Sequence, residues 1–140
     1  MNWLPYALLS AFFAALTAIL AKVGVSGINS NLATAIRTIF ILLFAWGIVF
    51  FQGTHKQLPN IPGNTMLFLF LSVVATGLSW LFYFRALQIG TASQVAPVDK
   101  LSLVLTVILA AILLREKVTL SIIIGSILMT AGALMIALGK

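Results

Sequence analysis

The sequence predicts an all-α membrane protein with five transmembrane helices, and three observations carry this. Apolar residues fill 62% of the 140 positions and charged residues 7%, whereas a soluble globular domain carries about 45–50% and about 25%. Mean hydropathy is +1.20, so nearly every residue is needed to cross a bilayer and a separate soluble domain has no room. Five apolar runs lie near residues 3–21, 32–51, 66–86, 95–114 and 119–138, each long enough for a hydrocarbon core of about 30 Å at about 1.5 Å per residue. Lipid-exposed backbone groups cost several kcal/mol each, which restricts such runs to helices or barrel strands, and their length selects helices. A single membrane domain spanning 1–140 is expected.

The first run follows Met1-Asn2-Trp3, which lacks the positive leader of a secretory signal, so it is read as a retained helix. Ser10, Ala14, Thr17 and Ala21 share one face and suit close helix packing. Gly24, Gly27, Asn29, Ser30 and Asn31 separate it from the second run, and the polar stretch from Gln52 to Asn64, with Pro59 and Pro62, ends that one. His55 stands in this loop without other metal-ligand types nearby and is expected to be solvated. The third run carries Ser72, Thr76, Ser79 and Tyr83 on one face with Trp80 on the flank. Thr76, Trp80 and Tyr83 are candidates for a cavity wall, and Ser72 for polar glue between helices.

Gly90 to Gln94 is read as the next loop, which puts Pro97 in the first turn of the fourth helix, where its missing N–H is harmless. Asp99 and Lys100 then lie about one turn inside, at a depth similar to that of Arg37 on the second helix. Charges within a span cost about 2.5–3.5 kcal/mol each at its centre on insertion scales, so an ionisable residue there points to function. The structural alternative is that Asp99 simply neutralises Arg37. The charged turn Arg115-Glu116-Lys117 precedes the last helix, with Thr119 placed to cap it and Glu116 suited to its N-terminus. Gly125, Gly132 and Gly139 recur at seven-residue spacing, which keeps a groove on one side for packing within the chain or against a second copy.

Eight Lys and Arg against two acids give a formal charge of +6, yet the cations are scattered at helix ends, as headgroup anchoring requires. No basic cluster or RNA-binding motif accompanies them, so nucleic acid is not an expected partner. With no cysteine, one loop histidine and two acids far apart, no catalytic residue set, metal site or cofactor is expected. Loop cations are balanced: Lys56, Arg115 and Lys117 on the N-terminal side against Lys22, Arg85 and Lys140 on the other. Adding Arg37 and Lys100 makes it five against three. So small a bias leaves the chain able to insert both ways, and two copies in opposite orientations would form an inverted-topology pair.

Two stretches carry a family resemblance. Phe82-Tyr83-Phe84-Arg85-Ala86-Leu87 followed by Ala92-Ser93-Gln94-Val95-Ala96-Pro97, and Leu114-Arg115-Glu116-Lys117-Val118-Thr119 followed by Gly125 and Gly132-Ala133, resemble the EamA family of the drug/metabolite transporter superfamily in its short, single-repeat form. The resemblance implies that this chain is one half of a ten-helix inverted-repeat transporter fold, completed by an antiparallel homodimer. It also implies metabolite transport. Small multidrug members of the superfamily use an acidic residue in the first helix, and none is present here, so proton-coupled export of cationic drugs is not expected.

The expectation is a multi-pass secondary transporter of the cell (inner) membrane, moving small polar metabolites by alternating access. The alternatives are a lipid-carrier flippase and an accessory or scaffold subunit. Arg37, Thr76, Trp80, Tyr83, Asp99 and Lys100 are the candidate substrate-binding residues. Lys22, Arg37, Arg85 and Lys100 are expected at one mouth with Asp99 as its only acid, a field that concentrates anions. The cargo is therefore expected to carry a carboxylate or phosphate, held by Arg37 or Lys100.

Overall fold

The computed structural model describes residues 2–139. Lys140, which entered the loop count, and Met1, which entered the reading of the N-terminus, lie outside the described residues. All described regular structure is helical: α1 is Leu4–Gly24, α2 is Ser30–Gln52, a 3-10 segment covers Thr54–Asn60, α3 is Gly63–Ile89, α4 is Ala92–Asp99, α5 is Ser102–Leu113 and α6 is Leu120–Leu138. Five spans are long and apolar enough to cross a membrane, the fourth being Ala92–Leu113, formed by α4 and α5 together. The protein is thus a small all-α membrane protein, as the sequence predicts.

Local chemistry sets the helix ends. Asn29 caps α2, its side chain accepting from the N–H groups of Asn31 at 2.9 Å and Leu32 at 3.4 Å, which satisfies donors that the first turn leaves unpaired. Gly53 ends the same helix with φ of 70°, a left-handed conformation that only glycine adopts without cost. Thr119 caps α6 by accepting from the Ile122 N–H at 3.4 Å. Within the spans, Thr34, Thr38, Thr76, Thr106 and Thr130 each donate to the carbonyl four residues back, at 2.8 to 2.9 Å. Threonine hydroxyls can therefore enter lipid without help from another helix.

The fourth span departs from its expected start and from continuity. Thr91 takes an extended conformation as the helix cap, so Ala92 to Gln94 form the first turn instead of a loop. Pro97 consequently falls in the second turn, where its ring removes the hydrogen bond to Ser93 and crowds that carbonyl. Three residues on, the ladder tightens: Lys100 N–H bonds Pro97 O at 3.1 Å, Leu101 N–H bonds Val98 O at 3.0 Å and Leu103 N–H bonds Lys100 O at 3.0 Å. This run of three-residue bonds separates α4 from α5. The start at Ala92 moves Asp99 and Lys100 from one turn to two turns inside the span of 22 residues.

The chain divides into two compact units, one holding the chain up to Lys22 and from Ile89 onward, the other being Val23–Gln88. In the Val23–Gln88 unit the buried residues are Val25, Ala33, Phe84 and Leu87 with Ser30 and Thr34. Gln88 fastens the α1 to α2 connection to the end of α3, donating to Val25 O at 3.0 Å and Ile28 O at 2.6 Å while its side-chain carbonyl accepts from Arg85 at 3.2 Å. In the other unit α6 packs against α4 and α5, and Lys22 donates to Gly90 O at 2.7 Å. Between α5 and α6 runs an apolar groove of about 430 Å³, lined by Val104, Val107 and Ile108 on one side and Ile123, Ile127 and Leu134 on the other.

The expected glycine groove has open space at two of its three positions. A side-chain carbon placed on Gly125 or Gly132 meets nothing within 4 Å. Gly139 is not on the helix, since it follows Leu138 in an extended conformation and ends α6, with its N–H on Met135 O. The register of seven therefore applies to two glycines. Its third member is a terminator.

Candidate functional site

The site begins with a charge that has no acid to meet within its own unit. Residues 23–88 contain no Asp or Glu, so Arg37 has no carboxylate within its own compact unit. Arg37 lies about two turns inside α2, and α3 supplies its surroundings. Its guanidinium carbon is 4.4 Å from the centre of the Phe84 ring and 5.8 Å from that of Trp80, both within range of a cation–π attraction of about 0.5–2 kcal/mol. Phe84 is 1% exposed, so the shelf is firmly seated. Trp80 and Phe84 are four residues apart and project from one face of α3. The Tyr83 ring meets Phe84 edge-on at 5.6 Å.

Stacking uses the flat face of the guanidinium and leaves its N–H edge to find acceptors. Nη1 is buried and has no hydrogen-bond partner among the described residues. A charged donor in that condition gains the most from an oxyanion, which can accept two parallel bonds from the fork.

Asp99 and Lys100 belong to the other unit, at the interruption between α4 and α5. The Lys100 ammonium is 4.0 Å from the Asp99 carboxylate, and both side chains remain substantially exposed, at 52% and 38%. Lys100 is thus partly neutralised by its sequence neighbour. Within its own unit Asp99 has Lys100 as an ion-pair neighbour, and within its own unit Arg37 has two aromatic rings. Of the other cations expected at one mouth, Lys22 is bonded to Gly90 O, and Arg85 is exposed and bonded to Gln88.

Among the candidate residues, the structure brings Arg37, Trp80 and Tyr83 together in one unit and places Asp99 beside Lys100 in the other. Thr76 shares the unit of Arg37, but it is exposed and its hydroxyl is committed to Ser72 O at 2.9 Å. His55 is not the solvated residue expected: its ring sits 5.1 Å from that of Phe50 and Nδ1 is buried, because the 3-10 segment folds back on the end of α2. No group of three metal-ligating side chains occurs among the described residues. Phe84 is the residue that sequence reasoning missed. Its spacing of four from Trp80 was the available signal.

Comparison with known proteins agrees with this architecture. Residues 1–138 match the EamA-like transporter family. The chain is 52% identical over 136 residues to a Sinorhizobium protein described as an uncharacterized transporter in the cobO 3′ region, a match covering 97% of this chain and 96% of that one. It is 30% identical over 97 residues to the Bacillus subtilis uncharacterized transporter YvbV, covering 69% of this chain but only 30% of that longer protein. No solved structure matches. Five apolar spans, charges held well inside two of them, and a match over nearly the whole length lead to one assignment: the chain is a membrane transporter belonging to the EamA family.

Proposed function

We propose that this transporter carries small polar metabolites across the cell (inner) membrane by alternating access, working as an antiparallel homodimer. The observation that carries the reading is the placement of ionised side chains about two turns inside two spans, Arg37 on α2 and Asp99 with Lys100 on the fourth. Charge at such depth is costly in a purely structural helix and is expected where a solute passes. The interruption between α4 and α5 supports the same reading, because secondary transporters commonly place solute sites beside discontinuous helices. Balanced loop cations favour two insertion orientations, and the far greater length of the Bacillus relative suits a chain with room for a second unit.

The test is counterflow of radiolabelled carboxylates, phosphates, sugars and amines by the purified chain in phospholipid vesicles. Uptake above empty vesicles for one polar class supports the proposal. Failure to move any of them, with movement restored only by a second membrane protein, would return the chain to an accessory role. Movement of a fluorescent phospholipid in place of the solutes would select the lipid-carrier reading.

A further inference from the structure

We infer that Arg37 is the anion-binding residue of the transporter, taking a carboxylate or phosphate group on the N–H edge of its guanidinium while Phe84 and Trp80 hold its face. This deepens the transport reading and rests on it for the identity of the ligand as a solute. The sequence left Arg37 and Lys100 as equal candidates. The structure separates them.

Lys100 has Asp99 at 4.0 Å, so its field on an incoming anion is partly offset by its neighbour. Arg37 has aromatic rings at 4.4 and 5.8 Å in place of a carboxylate. An aromatic face orients a guanidinium through its quadrupole without removing the net charge and without occupying the N–H donors. A carboxylate would do both. The buried, unpartnered Nη1 and the absence of any acid from residues 23–88 are two independent signs that the acceptor this fork requires is not supplied by its unit. Low-dielectric surroundings strengthen the attraction for an oxyanion. A planar carboxylate or a phosphate matches the fork in bidentate geometry, whereas a neutral alcohol or an amine cannot.

The oxyanion can arrive as a dissolved solute or as a lipid headgroup, and Trp80 provides a readout that does not depend on transport. Trp3→Phe with Trp46→Phe leaves Trp80 as the reporter, 5.8 Å from the guanidinium. Titrate this protein in phosphatidylcholine nanodiscs with benzoate and with inorganic phosphate, using benzyl alcohol and benzylamine as matched controls, and repeat in nanodiscs containing phosphatidylglycerol. The expected result is a saturable change with one or both oxyanions and none with the controls. Arg37→Gln should weaken it by about tenfold or more, the scale of losing charge-assisted hydrogen bonds, and Arg37→Lys by less. Competition by phosphatidylglycerol would identify the headgroup as a source of the same oxyanion. Equal responses to benzoate and benzyl alcohol in the parent protein, or unchanged affinity in Arg37→Gln, would overturn the assignment. Counterflow that persists in Arg37→Gln would leave transport standing and remove the assignment. Arg37-dependent binding without counterflow would do the reverse.

Discussion

The guanidinium of Arg37 rests 4.4 Å from the centre of the Phe84 ring, and Phe84 is almost completely buried. A charge two turns inside a span is thus positioned by a hydrophobic side chain whose contribution depends on its π-face and not on volume alone. Phe84→Leu keeps most of the apolar bulk and deletes the quadrupole. We expect it to weaken both benzoate and phosphate binding several-fold, since a cation–π contact of about 0.5–2 kcal/mol is removed. Binding monitored by Trp80 fluorescence checks both. An unchanged affinity in Phe84→Leu would reduce the ring to core filler.

Pro97 stands inside α4, three residues before the break in the fourth span. Pro97→Ala restores the missing N–H and relieves the clash with Ser93 O, which favours a regular hydrogen-bond ladder through α4 up to the break. A proline inside a helix costs about 3 kcal/mol relative to alanine, so the variant is expected to resist thermal unfolding in detergent better than the parent. If the interruption serves as a hinge, counterflow should slow at the same time. Higher stability with unaltered counterflow would make the break a tolerated defect.

Gln88 holds the α1 to α2 connection through two donated bonds, to Val25 O and Ile28 O. Gln88→Leu leaves both carbonyls without that partner and is expected to lower unfolding stability by about 1–3 kcal/mol. Gln88→Glu should resemble it, because an ionised carboxylate accepts hydrogen bonds and cannot donate them. Denaturation curves of the purified variants measure the difference. Stability equal to the parent in both would show that the connection is held elsewhere.

Gly132 is open within its own chain, with nothing within 4 Å of an added side-chain carbon. Gly132→Leu should therefore leave the single chain folded. If α6 meets a second copy along this surface, the larger side chain should block close approach and reduce recovery of the dimer in mild detergent. Light scattering of the detergent-solubilised protein distinguishes the outcomes. Undiminished dimer would place the interface on another helix.

The five spans were legible because a hydropathy signal summed over about twenty residues is hard to mistake, and because Asn29, Pro62 and Thr119 punctuate it. The start of the fourth span was not. Ala92, Ser93 and Gln94 are small or polar and read as a loop, yet an extended Thr91 is enough to begin the helix there, and this shift alone relocated Pro97, Asp99 and Lys100. Arg37 stood out as a charge in an apolar run. Phe84 did not, since a phenylalanine on an apolar helix looks like any other until the fold places the Arg37 guanidinium over it. His55 was misjudged for a related reason: its contact with Phe50 comes from the chain folding back, which no local pattern encodes.

Orientation is the last quantity the loop charges control. Lys56, Arg115 and Lys117 oppose Lys22, Arg85 and Lys140, and the loop from Gln52 to Asn64 is the longest place to alter that balance. Positive residues in short loops are retained on the cytoplasmic side, so three added lysines there should hold that loop inside and force one orientation. An antiparallel dimer needs both orientations, hence this variant alone is expected to lose counterflow. A second variant with Lys56, Arg115 and Lys117 replaced by glutamine should adopt the opposite orientation and be equally inactive. Coexpression of the two should restore activity, since each supplies the orientation the other lacks. The chain contains no cysteine, so single cysteines introduced at Thr54 or Ser121 can be labelled from either side of intact cells to count orientations directly. Labelling of the parent from one side only, or full activity of the lysine variant expressed alone, would rule out the antiparallel arrangement.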